Sequence, residues 1–298
     1  MFLGTSAGVP TQDRGLPSIA LRWGGDLLLF DCGEGTQRQM VIAGVGLGRK
    51  VMIFFTHMHG DHVLGLPGLL MTMSLMNRKE KLEIFGPRGL DKFVKSILPS
   101  VRLGLTFDLA ISEIDGEGKV VGGSGYSVYS DKADHHAESQ AYAFVEDPRR
   151  GRFDAEKAKS LGVGEGPGRS VLAKGMELEL PNGRVVKPSD VLGPPRQGFK
   201  MVYTGDTRYC ERIVRLSKGA DVLIHDSTFD ESRGDEAYET YHSTCVDAAR
   251  AAREANAKKL FLFHISARYR DPSLLCKQAK KYFSNVEVAE DLASFEIR

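Results

Sequence analysis

Short hydrophobic runs alternate with amphipathic segments along this chain, a pattern typical of α/β proteins. Strands are predicted near 18–23, 26–33, 51–56, 81–86, 126–130, 141–146, 200–205, 221–226 and 259–264. Helices are predicted at 34–44, 61–77, 89–98, 211–217 and 244–257, with one more before residue 286. The alternation, present in both halves of the chain, indicates an α/β fold with a sizeable core.

One stretch departs from this alternation. Residues at about 149–200 show little sustained periodicity and contain five prolines and many glycines. They hold eleven basic and six acidic residues, a net charge of +5, although the whole chain carries only +1. We therefore expect a single domain over 1–298 with a basic Gly/Pro-rich arm inserted at about 149–200. A plain solvated loop is the alternative for this stretch.

Charge and cysteine content narrow the class of protein. The 40 basic and 39 acidic residues nearly cancel, so global charge favours no polyanionic partner. The four cysteines lie far apart and form no C-x-x-C pair, which favours reduced thiols and a cytoplasmic location. No apolar run approaches the roughly 18–20 residues of a membrane span. Met1 leads directly into a strand-like segment, so no signal peptide is expected.

The segment 54–65, FFTHMHGDHVLG, concentrates titratable residues immediately after a predicted strand. His57 and His59 are two positions apart on an extended strand end, so both rings can point the same way. Asp61 and His62 begin the next helix and can face back over that strand end. Imidazole and carboxylate groups suit zinc and similar divalent ions, and α/β sheets place their sites at strand carboxyl ends. This spacing favours a metal site over a polar loop.

Further potential ligands follow other predicted strands. Asp206 ends one strand in YTGDT, and His264 ends another in FLFHIS. DHHAES supplies His135 and His136. Alone, Asp206 is equally compatible with a helix N-cap and His264 with a structural strand end. Together with 57–62, they are enough for two metals that share one carboxylate.

The motifs H-x-H-x-D-H at 57–62 and T-G-D-T at 204–207 resemble those of the metallo-β-lactamase superfamily. Within that superfamily, FLGTSAGVPT (2–11), LFDCGEGTQRQM (29–40), HSTC (242–245) and FHISARY (263–269) are similar to ribonuclease Z, the endonuclease that matures tRNA 3′ ends. The resemblance covers about residues 2–270, and there is no β-CASP-type insertion. It implies an α/β fold of the αββα metallo-β-lactamase type, with two mixed sheets packed face to face, helices outside and an inserted flexible arm.

The resemblance also implies two zinc ions per chain. The first would be bound by His57, His59 and His135, and the second by Asp61, His62 and His264, with Asp206 as the bridge. His135 is preferred to His136 because the family pattern H-x-x-E-S-x-x-Y is matched by His135, Glu138, Ser139 and Tyr142. Manganese or iron can fill the same nitrogen and oxygen set. His225 has no counterpart among the ligands and is interpreted as structural.

The implied activity is removal of the 3′ trailer of precursor tRNA by two-metal hydroxide attack, leaving a 3′-hydroxyl on the tRNA. Asp61 would accept a proton from the attacking water, and His242 would protonate the leaving 3′ oxygen. Residues 166–175 resemble the tip of the family's arm, which clamps tRNA and reaches across a homodimer. The candidate RNA contacts are therefore Lys157, Lys159, Arg169 and Lys174. Arg268 is a candidate phosphate contact, although a surface salt bridge fits it equally well.

Two departures from the family pattern bear on function. The loop P-x-K-x-R-N appears as PTQDRG at 10–15, with Gln12 and Gly15, which leaves cleavage position and rejection of CCA-ended tRNA open. The H-E-A-T loop appears as HDST at 225–228, where Asp226 is one methylene shorter than glutamate and its contact with His242 is expected to change. Two other functions remain as alternatives to tRNA processing. One is a generic phosphodiesterase for small diesters, which needs no basic arm. The other is an inactive RNA-binding protein, which the intact ligand set disfavours.

Overall fold

The computed structural model describes residues 1–47, 50–101 and 104–296. Its strands are β1 (Phe2–Gly4), β2 (Ser6–Ala7), β3 (Ser18–Trp23), β4 (Asp26–Phe30), β5 (Lys50–Phe54), β6 (Leu82–Gly86), β7 (Leu109–Glu113), β8 (Gly118–Gly123), β9 (Tyr126–Lys132), β10 (Gln140–Glu146), β11 (Leu178–Glu179), β12 (Val185–Val186), β13 (Lys200–Tyr203), β14 (Val222–Asp226), β15 (Leu260–Phe263), β16 (Ile265–Ser266) and β17 (Val286–Val288).

Its α-helices are α1 (Thr36–Ile42), α2 (Gly60–Val63), α3 (Leu66–Leu75), α4 (Leu90–Ser100), α5 (Ala155–Ser160), α6 (Pro167–Ala173), α7 (Pro188–Val191), α8 (Glu211–Leu216), α9 (Gly234–Glu239), α10 (Cys245–Glu254) and α11 (Ser273–Ala279). Within the three described ranges, no helix is long and apolar enough to cross a membrane.

Two mixed sheets form the body of the protein. The first has the strand order β1-β3-β4-β5-β6-β7, with parallel pairing from β4 to β7 and antiparallel pairing at β1 and β3. The second has the order β17-β15-β14-β13-β10-β9-β8, parallel from β17 to β13 and antiparallel between β13 and β10. A short parallel pair, β2 with β16, joins Ser6 to Ile265.

Aromatic side chains fill the space between the two sheets. The Phe54 ring of the first sheet lies 5.4 Å from the Tyr142 ring of the second, and the Phe30 ring lies 6.4 Å from the Tyr203 ring. Alternate residues of the same strands face outward, toward the helices. Leu29, for example, belongs to an apolar cluster that includes residues of α3. Each central strand is thus buried on both faces, which explains its continuous hydrophobic sequence. The predicted order of helix, sheet, sheet and helix is confirmed.

The helix predicted at 61–77 is instead two helices, α2 and α3, so this prediction was wrong. The break lies at Gly65, whose amide donates to the Cys32 carbonyl oxygen at 2.9 Å. A Cβ on Gly65 would lie 2.0 Å from the Gly33 carbonyl oxygen, so only glycine permits this approach of the two backbones. The sequence pattern also missed β7, β8 and β17. Much of β7 and β8 is partly exposed, so neither forms the continuous apolar run that identifies a buried strand.

Residues Glu146–Phe199 form a second compact unit that overlaps the predicted arm. This unit contains α5, α6 and α7 and the β11–β12 hairpin. It has a small apolar core of its own, which includes Ala158, Leu172 and Val191. The sequence pattern did not reveal these elements, because helices of four to seven residues are too short to produce a visible period.

Candidate metal centre

The ends of strands from both sheets deliver the titratable residues to one place. His57 follows β5, Asp206 follows β13, and His264 follows β15. The two sheets approach closely here: a Cβ on Gly205, which has a φ of +60°, would lie 2.7 Å from Thr56. Glycine before Asp206 is therefore a steric requirement of bringing the two strand ends together.

Two clusters hold the seven predicted ligands, and a third group consists of Asp206, Asp226, His242 and His264. Potential ligand atoms of His57, His59, His135 and Asp206 lie within 4.8 Å of one another, and so do those of Asp61, His62 and His264. Asp206 connects the clusters, because its Oδ1 is 3.4 Å from His62 Nε2 and its Oδ2 is 3.6 Å from His57 Nε2 and 3.3 Å from His264 Nε2. The seven residues predicted as ligands from the sequence are thus brought together.

Several atoms of the clusters are buried and without a hydrogen-bond partner in the described part of the chain: His57 Nε2, His62 Nε2, His264 Nε2 and Asp206 Oδ1. Buried polar atoms of this kind are normally paired, so four of them facing one another need an explanation. A cation between them satisfies all four, and the nitrogen and oxygen donors are those that zinc, manganese or iron prefer. The residues present therefore fit divalent metal ions.

The neighbours of Asp206 favour its ionised form even before any ion is considered. Burial raises the pKa of the Asp206 carboxyl, but the neighbouring imidazoles of His264 and His62 outweigh burial and hold it well below its usual range. The carboxylate therefore stays ionised and available as a ligand.

His242 lies beside the second cluster and is oriented by Asp226. His242 Nδ1 is 2.8 Å from Asp226 Oδ2, and the other Asp226 oxygen accepts from the Thr228 hydroxyl at 2.8 Å. Burial lowers the pKa of His242, whereas the charge of Asp226 and its hydrogen bond raise it, to a net value of about 9. Aspartate is thus long enough to reach His242. That the contact differs from the one a glutamate makes stays a prediction.

The chain is similar to known proteins along its whole length. Residues 184–265 match the family model described as the Beta-lactamase superfamily domain, and residues 1–99 match the model described as Anti-Pycsar protein Apyc1. The chain is 46% identical to "Ribonuclease Z" of Myxococcus xanthus, over 99% of this chain and 96% of the relative. It is 43% identical to "Ribonuclease Z" of Methanothermobacter thermautotrophicus, over 100% of this chain and 96% of the relative. The chain belongs to the ribonuclease Z family.

A solved structure agrees with that membership. The short form of human tRNase Z has a TM-score of 0.72 to this chain at 28% identity, and the match covers 100% of this chain and 98% of the human one. YhfI from Bacillus subtilis, a metallo-β-lactamase fold protein, has a TM-score of 0.68 at 19% identity, which shows the shared fold alone. As a member of the ribonuclease Z family, the chain is a metal-dependent endoribonuclease with the metallo-β-lactamase fold.

Asp31 is a residue of this ribonuclease Z site that sequence reasoning missed. It is fully buried after β4, with a left-handed φ of 56°. Its Oδ2 is 2.8 Å from His62 Nδ1 and accepts from the Tyr203 hydroxyl at 2.8 Å, while Oδ1 accepts from the Thr56 amide at 2.8 Å. A carboxylate behind a ligand histidine fixes its tautomer and orientation. The available signal was an aspartate directly after an apolar strand, as at Asp206.

Other predicted residues lie outside the two clusters. Arg268 donates to both carboxylate oxygens of Glu236 at 2.9 and 3.0 Å, so the salt-bridge alternative holds for it. His136 is exposed, with its ring 5.7 Å from the Tyr241 ring, and buried His225 is 2.8 Å from the Asp226 carbonyl oxygen through Nδ1. Lys157, Lys159, Arg169 and Lys174 all belong to the second compact unit.

The loop at 10–15 is tied to the C-terminal region. The Gly15 amide donates to Asp291 at 2.7 Å, and the Arg14 guanidinium donates to the Ala289 carbonyl oxygen at 2.7 Å. Near the start of the chain, the Gly8 amide donates to Asp61 Oδ2 at 3.0 Å. The N-terminal segment therefore contacts the metal cluster directly through Gly8.

We predict that Asp31→Ala weakens metal binding by about 10–100-fold, because His62 loses the carboxylate that orients it. Competition with a chelator, followed by elemental analysis, measures this. The matched control is Tyr203→Phe, which removes one hydrogen bond to Asp31 and leaves the contact with His62 intact. That variant should lose about 1 kcal/mol of unfolding free energy and keep its metal. Equal metal affinity in Asp31→Ala and the wild type would contradict the orienting role.

Proposed function

We propose that the chain is a zinc-dependent endoribonuclease that removes the 3′ trailer of precursor tRNA and leaves a 3′-hydroxyl on the tRNA. The observation that carries this proposal is the convergence of seven potential ligand residues, Asp206 among them, with His242 beside them. The names of the relatives, Ribonuclease Z and human tRNase Z, support tRNA as the substrate. We further propose that the reaction takes place in the cytoplasm, in keeping with the unpaired cysteines.

In this proposal His57, His59 and His135 hold one zinc, Asp61, His62 and His264 hold the other, and Asp206 bridges them. When bound, such a pair of ions makes water acidic enough to attack at neutral pH and neutralises the phosphoryl oxygens. Asp61, held by the Gly8 amide, accepts the proton of the attacking water. Manganese or iron would occupy the same donor set.

His242 supplies the proton to the leaving 3′ oxygen. Because its Nδ1 is engaged by Asp226 at 2.8 Å, Nε2 is the nitrogen left to face the substrate. The buried Asp226 fixes the ring and stabilises its protonated form, as an orienting carboxylate does for a general acid.

The second compact unit supplies RNA contacts in this proposal. Lys157 and Lys159 lie on α5, and Arg169 and Lys174 lie on and just after α6. Over its observed bounds, the unit has ten basic and eight acidic residues, a net charge of only +2. We therefore attribute binding to this local group of cations rather than to the charge of the whole insertion. Such contacts add affinity and position without reading sequence.

A homodimer is also proposed. Exposed apolar side chains accumulate on and beside α1, α2 and α3, where Val41 is 76%, Leu64 52% and Leu75 80% exposed. Monomeric proteins rarely leave a large apolar surface in contact with water, so a second copy is a suitable partner for it. Sedimentation equilibrium distinguishes the dimer from the monomer.

The direct test of the function is incubation of the zinc-loaded protein with a labelled precursor tRNA, followed by mapping of both new ends. We expect one cut at the 3′ side, which leaves a 3′-hydroxyl on the tRNA. The position of this cut shows how Gln12 and Gly15 affect CCA discrimination. Hydrolysis of a nitrophenyl phosphodiester without tRNA cleavage would support a generic phosphodiesterase instead.

We predict that His242→Ala lowers turnover of precursor tRNA by about 10²–10⁴-fold, because the leaving 3′ oxygen loses its proton donor. Metal content should not change. A nitrophenyl diester has a leaving group that needs no proton, so its turnover should fall much less. Single-turnover rates on the two substrates measure the difference, and equal losses would refute the acid role.

We predict that neutralising the four cations of the second unit weakens precursor tRNA binding. Each lost phosphate contact should reduce the slope of log affinity against log salt by up to about 0.9, by analogy with duplex DNA. Nitrophenyl diester turnover should stay at the wild-type level, because the metal-site residues belong to the other unit. The substituted residues are Lys157, Lys159, Arg169 and Lys174.

The matched control removes four carboxylates from the same unit and should strengthen RNA binding, since it changes local charge in the opposite direction. Its substitutions are to glutamine at Glu156, Glu165, Glu177 and Glu179, all of which are exposed. Unchanged tRNA affinity and salt dependence in both variants would show that the unit is a solvated insertion without a role in binding.

A further inference from the structure

A cation lies between aromatic rings next to the metal centre. Arg208, two residues after Asp206, has its guanidinium carbon 3.5 Å from the Tyr241 ring centroid and 4.1 Å from that of Tyr238. Both distances are well inside the range of cation–π attraction. In the described ranges, Arg215 and Arg268 pair with carboxylates, whereas no carboxylate pairs with Arg208. Its charge is therefore held by aromatic faces alone.

This cluster is part of the rim of the metal centre. His135 Nδ1 is 2.9 Å from the Tyr241 carbonyl oxygen, and Tyr241 directly precedes His242. The Arg208 amide donates to the Asp134 carbonyl oxygen at 2.9 Å. Tyr241 has a left-handed φ of 60°, a conformation that is costly for a tyrosine and concentrates at functional positions. Tyr241 therefore belongs to the aromatic cluster and also contacts His135 and leads into His242.

Tyr238, the outer member of the cluster, is open to solvent and lies on a helix that salt bridges anchor. Tyr238 is 66% exposed, so much of its ring remains accessible although the guanidinium lies against it. It lies on α9, where Glu236 is bound by both Arg268 and Arg233. An exposed ring on an anchored turn, beside an unpaired cation, has the chemistry of a surface that stacks nucleobases and attracts phosphate.

We propose that Arg208, Tyr238 and Tyr241 form a stacking platform for the base of the nucleotide that carries the leaving 3′ oxygen. This inference rests on the proposed function, in which His242 protonates that oxygen. Because Tyr241 and His242 are adjacent, a nucleotide whose 3′ oxygen meets His242 has its own base nearest to this platform. Stacking tolerates any base, so the platform positions the last retained nucleotide without selecting its identity.

The test uses the zinc-loaded protein and a product-like RNA hairpin whose last nucleotide is 2-aminopurine with a free 3′-hydroxyl. This RNA cannot be cut at the site, so stacking is observed separately from chemistry. Binding to the wild type should quench the fluorescence of the probe. Tyr238→Ala should abolish the quenching and weaken binding roughly tenfold, whereas Tyr238→Phe should keep both.

Two controls separate stacking from a structural role. Tyr129, a partly exposed tyrosine on β9, serves as the matched position, and Tyr129→Ala should change neither quenching nor affinity. In Tyr238→Ala, zinc content should stay at the wild-type level. A loss of zinc in Tyr238→Ala would mean that the cluster supports the metal centre, which would overturn the stacking role.

Failure of this inference can be told apart from failure of the proposed function. If the wild type cuts precursor tRNA at its 3′ side but the terminal probe is not quenched, the platform is refuted and the function stands. Quenching of a probe at the first nucleotide of a free trailer, with none at the hairpin end, would refute the assignment to the retained side. Absence of tRNA cleavage in the end-mapping assay would count against the function itself.

Discussion

The structure depends on one buried carboxylate that three imidazoles surround. Asp206 is 2% exposed, and its two oxygens lie 3.3 to 3.6 Å from ring nitrogens of His57, His62 and His264. A buried charge of this kind is stable only where opposite charge or ligand bonds compensate it. Both sheets must therefore end at the same place, and Gly205 permits the close contact that this requires.

Residues outside the cluster hold the histidines of the site in position. Asp31 orients His62 from one side and accepts from Tyr203 of the opposite sheet, while Asp226 orients His242. The Thr228 hydroxyl links this second arrangement to the metal cluster, since it lies 2.8 Å from His264 Nδ1. His62 and His264 are thus fixed by a carboxylate and a hydroxyl that belong to the sandwich itself, which is the condition for a preorganised site.

The sequence pointed to the residues of the two clusters because H-x-H-x-D-H is compact and the segments of Asp206 and His264 follow apolar strands, whereas His135 was chosen through the family resemblance. Their role as metal ligands stays a prediction. The layered fold was predicted through the family resemblance, whereas the hydrophobic runs alone predicted only the strands that are buried on both faces. Asp31 was missed because its role depends on a contact with His62, 31 positions away. The Arg208 cluster was missed for the same reason, since Tyr238 and Tyr241 come from a separate segment. The break at Gly65 was missed because it depends on the close approach of the backbone at Gly33, which is distant in sequence. A local sequence pattern contains no sign of such a contact.

The shared carboxylate is tested most directly by elemental analysis of the purified wild-type protein and of Asp206→Ala, alongside their activities. The account predicts two divalent ions per chain in the active wild type. It also predicts that the single substitution depletes both sites together and abolishes activity, because one side chain serves both. A fully active wild type with a single ion per chain would contradict it. So would an Asp206→Ala variant that retains two ions.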